Sequence, residues 1–336
     1  MAPKKQRHSG PIKGVRELTN ILGFDRDVLY SIINAPQDYY SPYDVYKKYD
    51  KKTKLHHWRH IDNPQGALKL VQERITKHVL NPVAHILPNH LVGGLPGNSL
   101  KDNATPHLGR NVVVEMDLET CFDSVSSKQV RTALIAAGFG RDVATIITKA
   151  CTFQNRLPQG SPASTILCNF ALLDMSNEIR TEADSQSCNF TMYIDDITLS
   201  GKKAEVYGLI PRVYKIATAH GMNINSGKTE IFAHNRQQEV TGVLTNMRLA
   251  IAKRKIEMIR RKIIASAKEL PINRRLIRSL YGQVYWVYFI DPIEGKRLLK
   301  LLSETIADKP MYEGPRLTKK LTRQCKGHNS QHKVPA

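Results

Sequence analysis

Tyr193-Ile194-Asp195-Asp196 lies between two strand-like runs, Phe190-Thr191-Met192 before it and Ile197-Thr198-Leu199-Ser200 after it. Alternation on both sides of a two-residue turn predicts a β-hairpin with Asp195 and Asp196 at its tip. An Asp-Asp tip is by itself ordinary turn chemistry. Upstream, however, the β-branched run Val112-Val113-Val114-Glu115-Met116 also ends on a carboxylate, Asp117. Two buried strands that each end this way bring Asp117 beside Asp195. Unit charges about 4 Å apart repel by roughly 4 kcal/mol at an effective dielectric near 20, a cost a fold accepts when a divalent cation lies between them. Hard oxygen ligands on rigid strands suit Mg²⁺, which keeps waters and completes its shell with substrate phosphates. Two such ions are the arrangement of phosphoryl transfer.

Charge points the same way. Lys and Arg number 50 against 30 Asp and Glu, a net +20 with a pI near 9.7, which calls for a polyanionic partner. No run approaches the 18 or so apolar residues of a membrane span and no signal-peptide core follows the start, so a membrane is not that partner. A length of 336 residues, 41% of them apolar, suits two domains or one large multi-lobed one. The five cysteines (Cys121, Cys151, Cys168, Cys188, Cys325) are odd in number and lack C-x-x-C spacing, as expected of reduced thiols in a cytoplasmic protein.

Residues 1 to about 14 are polar, basic and punctuated by Pro and Gly, the composition of a disordered start. Val15, Leu18, Ile21 and Leu22, then Val28, Leu29, Ile32 and Ile33, recur at helical spacing. Residues 44–49 and 55–61 flank a Lys-rich turn and predict a hairpin. His56 and His60 share a face of that strand but stand about 13 Å apart and have no Cys partner, which excludes zinc. Residues 67–80 predict an amphipathic helix with Leu68, Val71, Ile75 and Val79 inward, ended by Pro82. Gly93-Gly94-Leu95-Pro96-Gly97-Asn98 lacks the Lys-Ser/Thr of a nucleotide P-loop and reads as structural. Ser126 or Ser127 caps a helix over 128–137 stopped by Gly138. Leu157-Pro158-Gln159-Gly160 predicts a tight turn before a helix over 164–181. Residues 204–220 read as a helix and 228–232 as a strand. From 253 to 278, ten basic residues (Lys253, Arg254, Lys255, Arg260, Arg261, Lys262, Lys268, Arg274, Arg275, Arg278) face two acidic ones, Glu257 and Glu269. Ile256, Ile259, Ile263 and Ile264 recur beneath them, predicting a helix with a basic outer face that grips phosphates. Tyr281, Tyr285, Trp286, Tyr288 and Phe289 are expected mostly in the core, with one or two left to stack on bases. The stretch from 310 to 336 is basic and sparse in large apolar residues, as in a segment disordered until bound.

In order, Asp117 with Phe122, Leu157-Pro158-Gln159-Gly160-Ser161-Pro162, Tyr193-Ile194-Asp195-Asp196 and Asn225-Ser226-Gly227-Lys228 resemble the successive motifs of a reverse transcriptase, across about residues 45 to 290. Asn103-Ala104-Thr105-Pro106-His107 and Val240-Thr241-Gly242 are similar to two signatures of the retron group. The chain departs from that group at Ile194, where retron enzymes usually carry Ala. The resemblance implies an α+β right-hand polymerase with an antiparallel palm sheet, a fingers lobe and a helical thumb. Its parts would be an N-terminal extension (1–35), fingers (36–110), palm (111–247, with 140–165 partly fingers), thumb (248–309) and a basic tail (310–336).

It further implies RNA-templated DNA synthesis in which Asp117, Asp195 and the Leu118 carbonyl hold two Mg²⁺ ions, or Mn²⁺ in their place, with Asp196 assisting. Arg59 takes the place of the triphosphate-binding Arg, with Lys47, Lys48 or Lys52 as a second contact. Phe122 packs under the sugar and excludes a 2′-hydroxyl, Gln159 bonds the nucleotide or template, and Lys228 serves the leaving pyrophosphate. Asn103, His107, Val240, Thr241 and Gly242 organise the RNA, while Lys253, Lys255, Arg260, Arg261, Arg274, Arg275 and Arg278 hold its phosphates. The implied partners are dNTPs, one cognate structured non-coding RNA, the branched RNA–DNA product primed from an RNA 2′-hydroxyl (multicopy single-stranded DNA), and a separately encoded effector in antiphage defence. Two rival readings remain at this point. A group II intron-like enzyme is expected to carry further regions after the thumb, and a non-catalytic RNA-binding scaffold does not require intact carboxylates.

Overall fold

The two carboxylate-ending runs form adjacent strands of one sheet. The computed structural model describes residues 10–50, 55–266 and 274–307. In chain order the elements are α1 (Val15–Leu22), α2 (Arg26–Asn34), β1 (Tyr43–Asp50), β2 (Leu55–Ile61), α3 (Gly66–Ile75), α4 (Leu100–Ala104), β3 (Val112–Asp117), α5 (Cys121–Ser124), α6 (Ser127–Ala136), α7 (Arg141–Cys151), α8 (Ser164–Ala171), α9 (Leu173–Ser185), β4 (Asn189–Tyr193), β5 (Asp196–Gly201), α10 (Lys203–Ala219), β6 (Glu230–Ala233), β7 (Glu239–Val240), β8 (Val243–Leu244), α11 (Lys253–Ser266), α12 (Arg274–Ile290) and α13 (Pro292–Ile306). The central sheet runs β4-β5-β3-β6, antiparallel throughout. This α+β architecture, an antiparallel sheet backed by helices, is that of a right-hand polymerase.

Because side chains alternate along a strand, the register divides the sheet into two unlike faces. Val112, Val114 and Met116 of β3, Ile197 and Leu199 of β5, and Phe190 and Met192 of β4 all enter one apolar core with α1, α2 and α6 to α10. The opposite face carries Glu115 and Asp117, Asp196, Thr198 and Ser200, and Thr191. Its far end is closed by α4 and the turn Thr105–His107, where His107 lies wholly buried between Ser200 and Thr191. A sheet with one apolar and one polar buried face explains why β5 alternates so cleanly in sequence.

Some boundaries match the expected ones and others differ, each for a local reason. The region 15–34 is two helices, separated at Gly23, whose φ of 63° only a residue without a Cβ adopts freely. The α-helix expected over 67–80 gives way after Ile75 to a wider π turn (Thr76–Leu80), and Pro82 is the second residue of a 3₁₀ segment (Asn81–Ile86) rather than the end of all helix. The helix expected over 164–181 is broken at Leu172 into α8 and α9. Ser126 caps α6 in a capping box with Gln129. Lys228 ends a 3₁₀ turn (Ser226–Lys228) just before β6 instead of lying in the strand.

The chain divides into two compact units, Met1–Leu249 and Ala250–Ala336. In the second, α11, α12 and α13 pack through Ile256, Ile259 and Ile263, through Ile277, Leu280, Val284 and Val287, and through Leu298 and Leu302. Ile264, expected inward, is exposed; Tyr285 and Phe289 are the one or two aromatics expected outside the core, Tyr281, Trp286 and Tyr288 are half-buried, and aliphatic side chains carry the packing. The Lys255 ammonium sits 4.2 Å from the centre of the Trp286 ring, a cation–π contact. Lys253, Arg260, Arg261, Arg275 and Arg278 are exposed, and Lys255 and Arg274 half-buried. Lys268, Glu269, Lys52, Cys325 and the 310–336 tail lie outside the described residues. Among the described residues no helix is long and apolar enough to cross a membrane, and Cys121, Cys151, Cys168 and Cys188 are free and buried.

Candidate active site

The β4–β5 hairpin turns on Ile194 and Asp195, because Tyr193 pairs with Asp196. The expected tip is thus shifted by one residue: Asp196 belongs to β5 and stands directly across from Asp117 on β3. Ile194 takes a left-handed φ of 64°, unfavourable for a β-branched residue. The surroundings hold it there. The Leu118 N–H donates to the Asp195 carbonyl at 2.9 Å, and the Val92 N–H to the Met192 carbonyl at 2.9 Å. Gly93 passes directly beneath, where a Cβ would lie 2.4 Å from the Ile194 nitrogen. The glycine loop read as structural is therefore a close-fitting seat for the carboxylate turn. The segment after Asp117 is stitched down too: Glu119 N–H donates to Asn223 O at 2.7 Å and Asn225 N–H to Asp117 O at 2.8 Å.

Three half-buried carboxylates thus converge. Burial, then the charges of Asp195 and Asp117, push Asp196 up to about 6. Burial likewise raises Asp195, opposed by its own backbone N–H, with Asp117 adding to the rise and Lys228 and Arg59 pulling it back. Lys228 donates to Asp117 Oδ2 at 2.6 Å. The strain on Asp195 and Asp196 is electrostatic, and a hard cation beside them relieves it. The donor set fits such an ion: carboxylate oxygens on adjoining strand ends. Among the described residues no three His, Cys, Asp or Glu side chains stand ready as a complete ligand set, and Lys228 holds one Asp117 oxygen, so an entering cation must compete with that ammonium.

Around the carboxylates, Arg59 on β2 is exposed and near enough to act on Asp195. Phe122, on the one-turn helix α5, is half-buried and packs against the core. Gln159 is half-buried on a turn anchored by Ser164 Oγ, which donates to Pro158 O at 2.7 Å. Gly160 follows at φ 126°, with space for no Cβ against the Asp62 carbonyl. One residue that the sequence reading passed over ties these parts together. Arg156 pairs with the buried Asp62 at the foot of the hairpin (3.1 Å) and with Asp123 beside Phe122. Asp62 and Asp44 in turn hold His60 at 3.3 and 2.9 Å. Arg156 precedes Leu157-Pro158-Gln159, so one guanidinium links hairpin, Gln159 turn and Phe122 helix. Glu115 was also passed over, although its two-residue spacing from Asp117 puts both on one face. Burial raises it to about 7, and it accepts the Thr241 N–H at 3.1 Å. It lines a cavity of about 330 Å³ with Asp196, Glu230, Glu239, Thr241 and Gly242.

The expected RNA contacts divide. Asn103, His107 and Val240 are completely buried and cannot touch RNA; this corrects their expected role. Asn103 Nδ2 donates to Thr241 Oγ1 at 3.3 Å, and the His107 nitrogens lie 2.7 and 2.8 Å from Ser200 Oγ and Thr191 Oγ1. Burial lowers His107 to about 3, so the ring is neutral and bridges the two strands as donor and acceptor. These signatures fasten the polar face of the sheet. Thr241 (φ 46°) and Gly242 form the turn between β7 and β8 and are half-exposed.

A family model described as reverse transcriptase (RNA-dependent DNA polymerase) matches residues 47–259. Retron Ec86 reverse transcriptase of Escherichia coli is 30% identical over 269 residues, spanning 79% of this chain and 81% of that one. Retron Mx65 reverse transcriptase of Myxococcus xanthus is 29% identical over 269 residues, 72% of this chain and 60% of that one. Among solved structures, a foamy viral protease-reverse transcriptase in complex with double-stranded DNA aligns with a TM-score of 0.46 at 16% identity, over 87% of this chain and 44% of that one. With the carboxylates, the Gln159 turn and Lys228 lying inside the matched span, the chain belongs to the reverse transcriptases, the RNA-directed DNA polymerases, and among them to the retron group.

Proposed function

We propose that this RNA-directed DNA polymerase copies part of one structured RNA encoded beside its gene, primes from a 2′-hydroxyl of that RNA, and acts in the cytoplasm with a separate effector against phage. The observation that carries the reading is the convergence of Asp117, Asp195 and Asp196 within a chain similar to retron enzymes. Bound at these carboxylates and the Leu118 carbonyl, two Mg²⁺ ions, or Mn²⁺, would activate the primer hydroxyl and neutralise the triphosphate. The chain's own groups do the rest. Arg59 holds the triphosphate with a planar fork, Gln159 positions the nucleotide against the template, and Lys228 exchanges Asp117 for the departing pyrophosphate. Residues 36–110 act as fingers, 111–247 as palm and 248–309 as thumb. Lys253, Lys255, Arg260, Arg261, Arg274, Arg275 and Arg278 hold RNA phosphates, and the exposed part of the Thr241-Gly242 turn reads RNA shape.

The test is selectivity against salt. Phosphate contacts give affinity for any RNA and weaken linearly with log salt, whereas shape and base contacts persist. Raising salt is expected to weaken a scrambled RNA more than the flanking structured RNA. Arg260→Ala or Arg261→Ala weakens both, and changes at Thr241 and Gly242 weaken mainly the flanking RNA. Equal binding of the two RNAs at high salt contradicts the reading. A second expectation concerns sugars. Phe122→Ala opens room for a 2′-hydroxyl and raises ribonucleotide incorporation relative to deoxynucleotide by about tenfold or more, while Phe122→Tyr discriminates like the parent. A variant that loses about 3–5 kcal/mol of stability with unchanged sugar preference makes Phe122 core only.

A further inference from the structure

The β1–β2 hairpin leaves Tyr46, Tyr49 and Trp58 in solvent at 48%, 44% and 60% exposure. They are not scattered. Tyr46 stands opposite Trp58, and Tyr49 opposite His56. Ring centres lie 5.4 Å apart for Tyr46–Trp58, 5.7 Å for Tyr46–His56 and 4.9 Å for Tyr49–His56. Residues three apart on a regular strand point to opposite faces. Here the register slips between Tyr46 and Lys48, and that bulge returns Tyr49 to the side of Tyr46. The result is a continuous ladder of three aromatic rings and an imidazole.

The ladder lies on the face of the hairpin opposite Arg59. Arg59, next to Trp58, projects from the other face, together with Ile61, whose Cγ2 lies 2.9 Å from where a Gly160 Cβ would stand. Arg59 is also the hairpin group that acts on Asp195. Stacked rings left in water are costly unless something covers them. Charge selects the occupant: residues 44–61 contain six Lys or Arg and two Asp. Lysine is depleted where protein meets protein, whereas basic residues among exposed rings are how proteins hold unpaired nucleic acid without regard to sequence.

We propose that this outer face of the hairpin is a stacking platform for single-stranded RNA, the unpaired template ahead of the polymerising site. The proposal rests on the RNA-directed polymerase reading but concerns a surface outside the catalytic cleft. The sequence holds two tryptophans, Trp58 and Trp286, so Trp286→Phe leaves Trp58 as the only reporter. In that protein a short oligouridylate is expected to quench Trp58 emission saturably, and a blunt RNA duplex of equal length is not. Tyr46→Ala with Tyr49→Ala weakens oligouridylate binding about fivefold or more for each ring lost, with unchanged thermal midpoint. Tyr46→Phe with Tyr49→Phe binds as the parent does. In primer extension the double Ala variant needs more template when the template carries a long 5′ overhang, and behaves as wild type on a one-nucleotide overhang. Absent quenching, equal quenching by the duplex, or quenching that follows protein concentration alone, as for a second copy seated on the rings, overturns the platform while extension itself leaves the polymerase reading intact. Loss of all extension by the parent protein strikes that underlying reading instead.

Discussion

Asp195→Asn combined with Asp196→Asn lowers deoxynucleotide incorporation by about 10³-fold or more and leaves RNA affinity within about twofold. Both carboxylates are held half-buried beside Asp117, and burial and mutual repulsion raise the pKa of each. A carboxylate whose folded pKa is raised destabilises the fold at neutral pH, where it is charged; stability returns as pH falls through the folded value. Removing the charge therefore keeps or raises the thermal midpoint, and an inactive variant is not an unfolded one. RNA affinity is expected to persist because the cations proposed to hold RNA phosphates lie on α11 and α12, not among these carboxylates. Incorporation by the double variant within tenfold of wild type contradicts the assignment of these carboxylates to the chemistry.

His107→Leu lowers stability by about 2–4 kcal/mol, since it leaves the Ser200 and Thr191 hydroxyls buried without the ring that joins them. His107→Gln restores hydrogen bonding and costs less. The two substitutions also change acid sensitivity. His107 is depressed from 6.5 to about 3 in the folded protein, so between those values the unfolded chain binds the proton and the folded one does not. Its contribution is complete above pH 6.5 and is lost as pH falls towards 3, at about 1.4 kcal/mol per pH unit. His90, lowered to about 4 by burial, adds a slope of the same sign, whereas Asp196 and Glu115 oppose it. The difference between wild type and His107→Gln, measured by denaturant titration at pH 6.5 and pH 5.5, isolates the His107 share. A solvent-facing RNA contact predicts neither the stability loss nor the flattened acid slope.

Much of this architecture was legible in the sequence because it follows from strand periodicity. Val112 to Asp117 is so plainly a β-branched run, and Ile197 to Ser200 so plainly alternates, that two strands, and the meeting of Asp117 with the Asp195–Asp196 pair, could be read directly. The one-residue shift of the turn could not, because it depends on Gly93 and Leu118, which hold Ile194 in a left-handed conformation that its own chemistry disfavours. Asn103 and His107 were read as RNA contacts because the retron resemblance implied it; the polar face of the sheet, invisible until strands are paired, makes them interior. Arg156 was missed for a related reason. Its partners Asp62 and Asp123 are distant in sequence, and no local pattern announces a guanidinium shared by three segments. In the second unit, helical spacing correctly gave Ile256, Ile259 and Ile263 as the inner face, but it also placed the exposed Ile264 there, and it did not say which one or two of the aromatics, here Tyr285 and Phe289, would lie outside the core.

The most direct test is extension of a DNA primer on an RNA template by the purified protein, with the Asp117→Asn variant in parallel. The account predicts templated deoxynucleotide addition that requires a divalent cation, disappears with a chelator, returns when Mg²⁺ is restored, and is absent from the variant although it still binds the template. No extension by the folded, RNA-binding wild-type protein, or extension that survives Asp117→Asn, contradicts it.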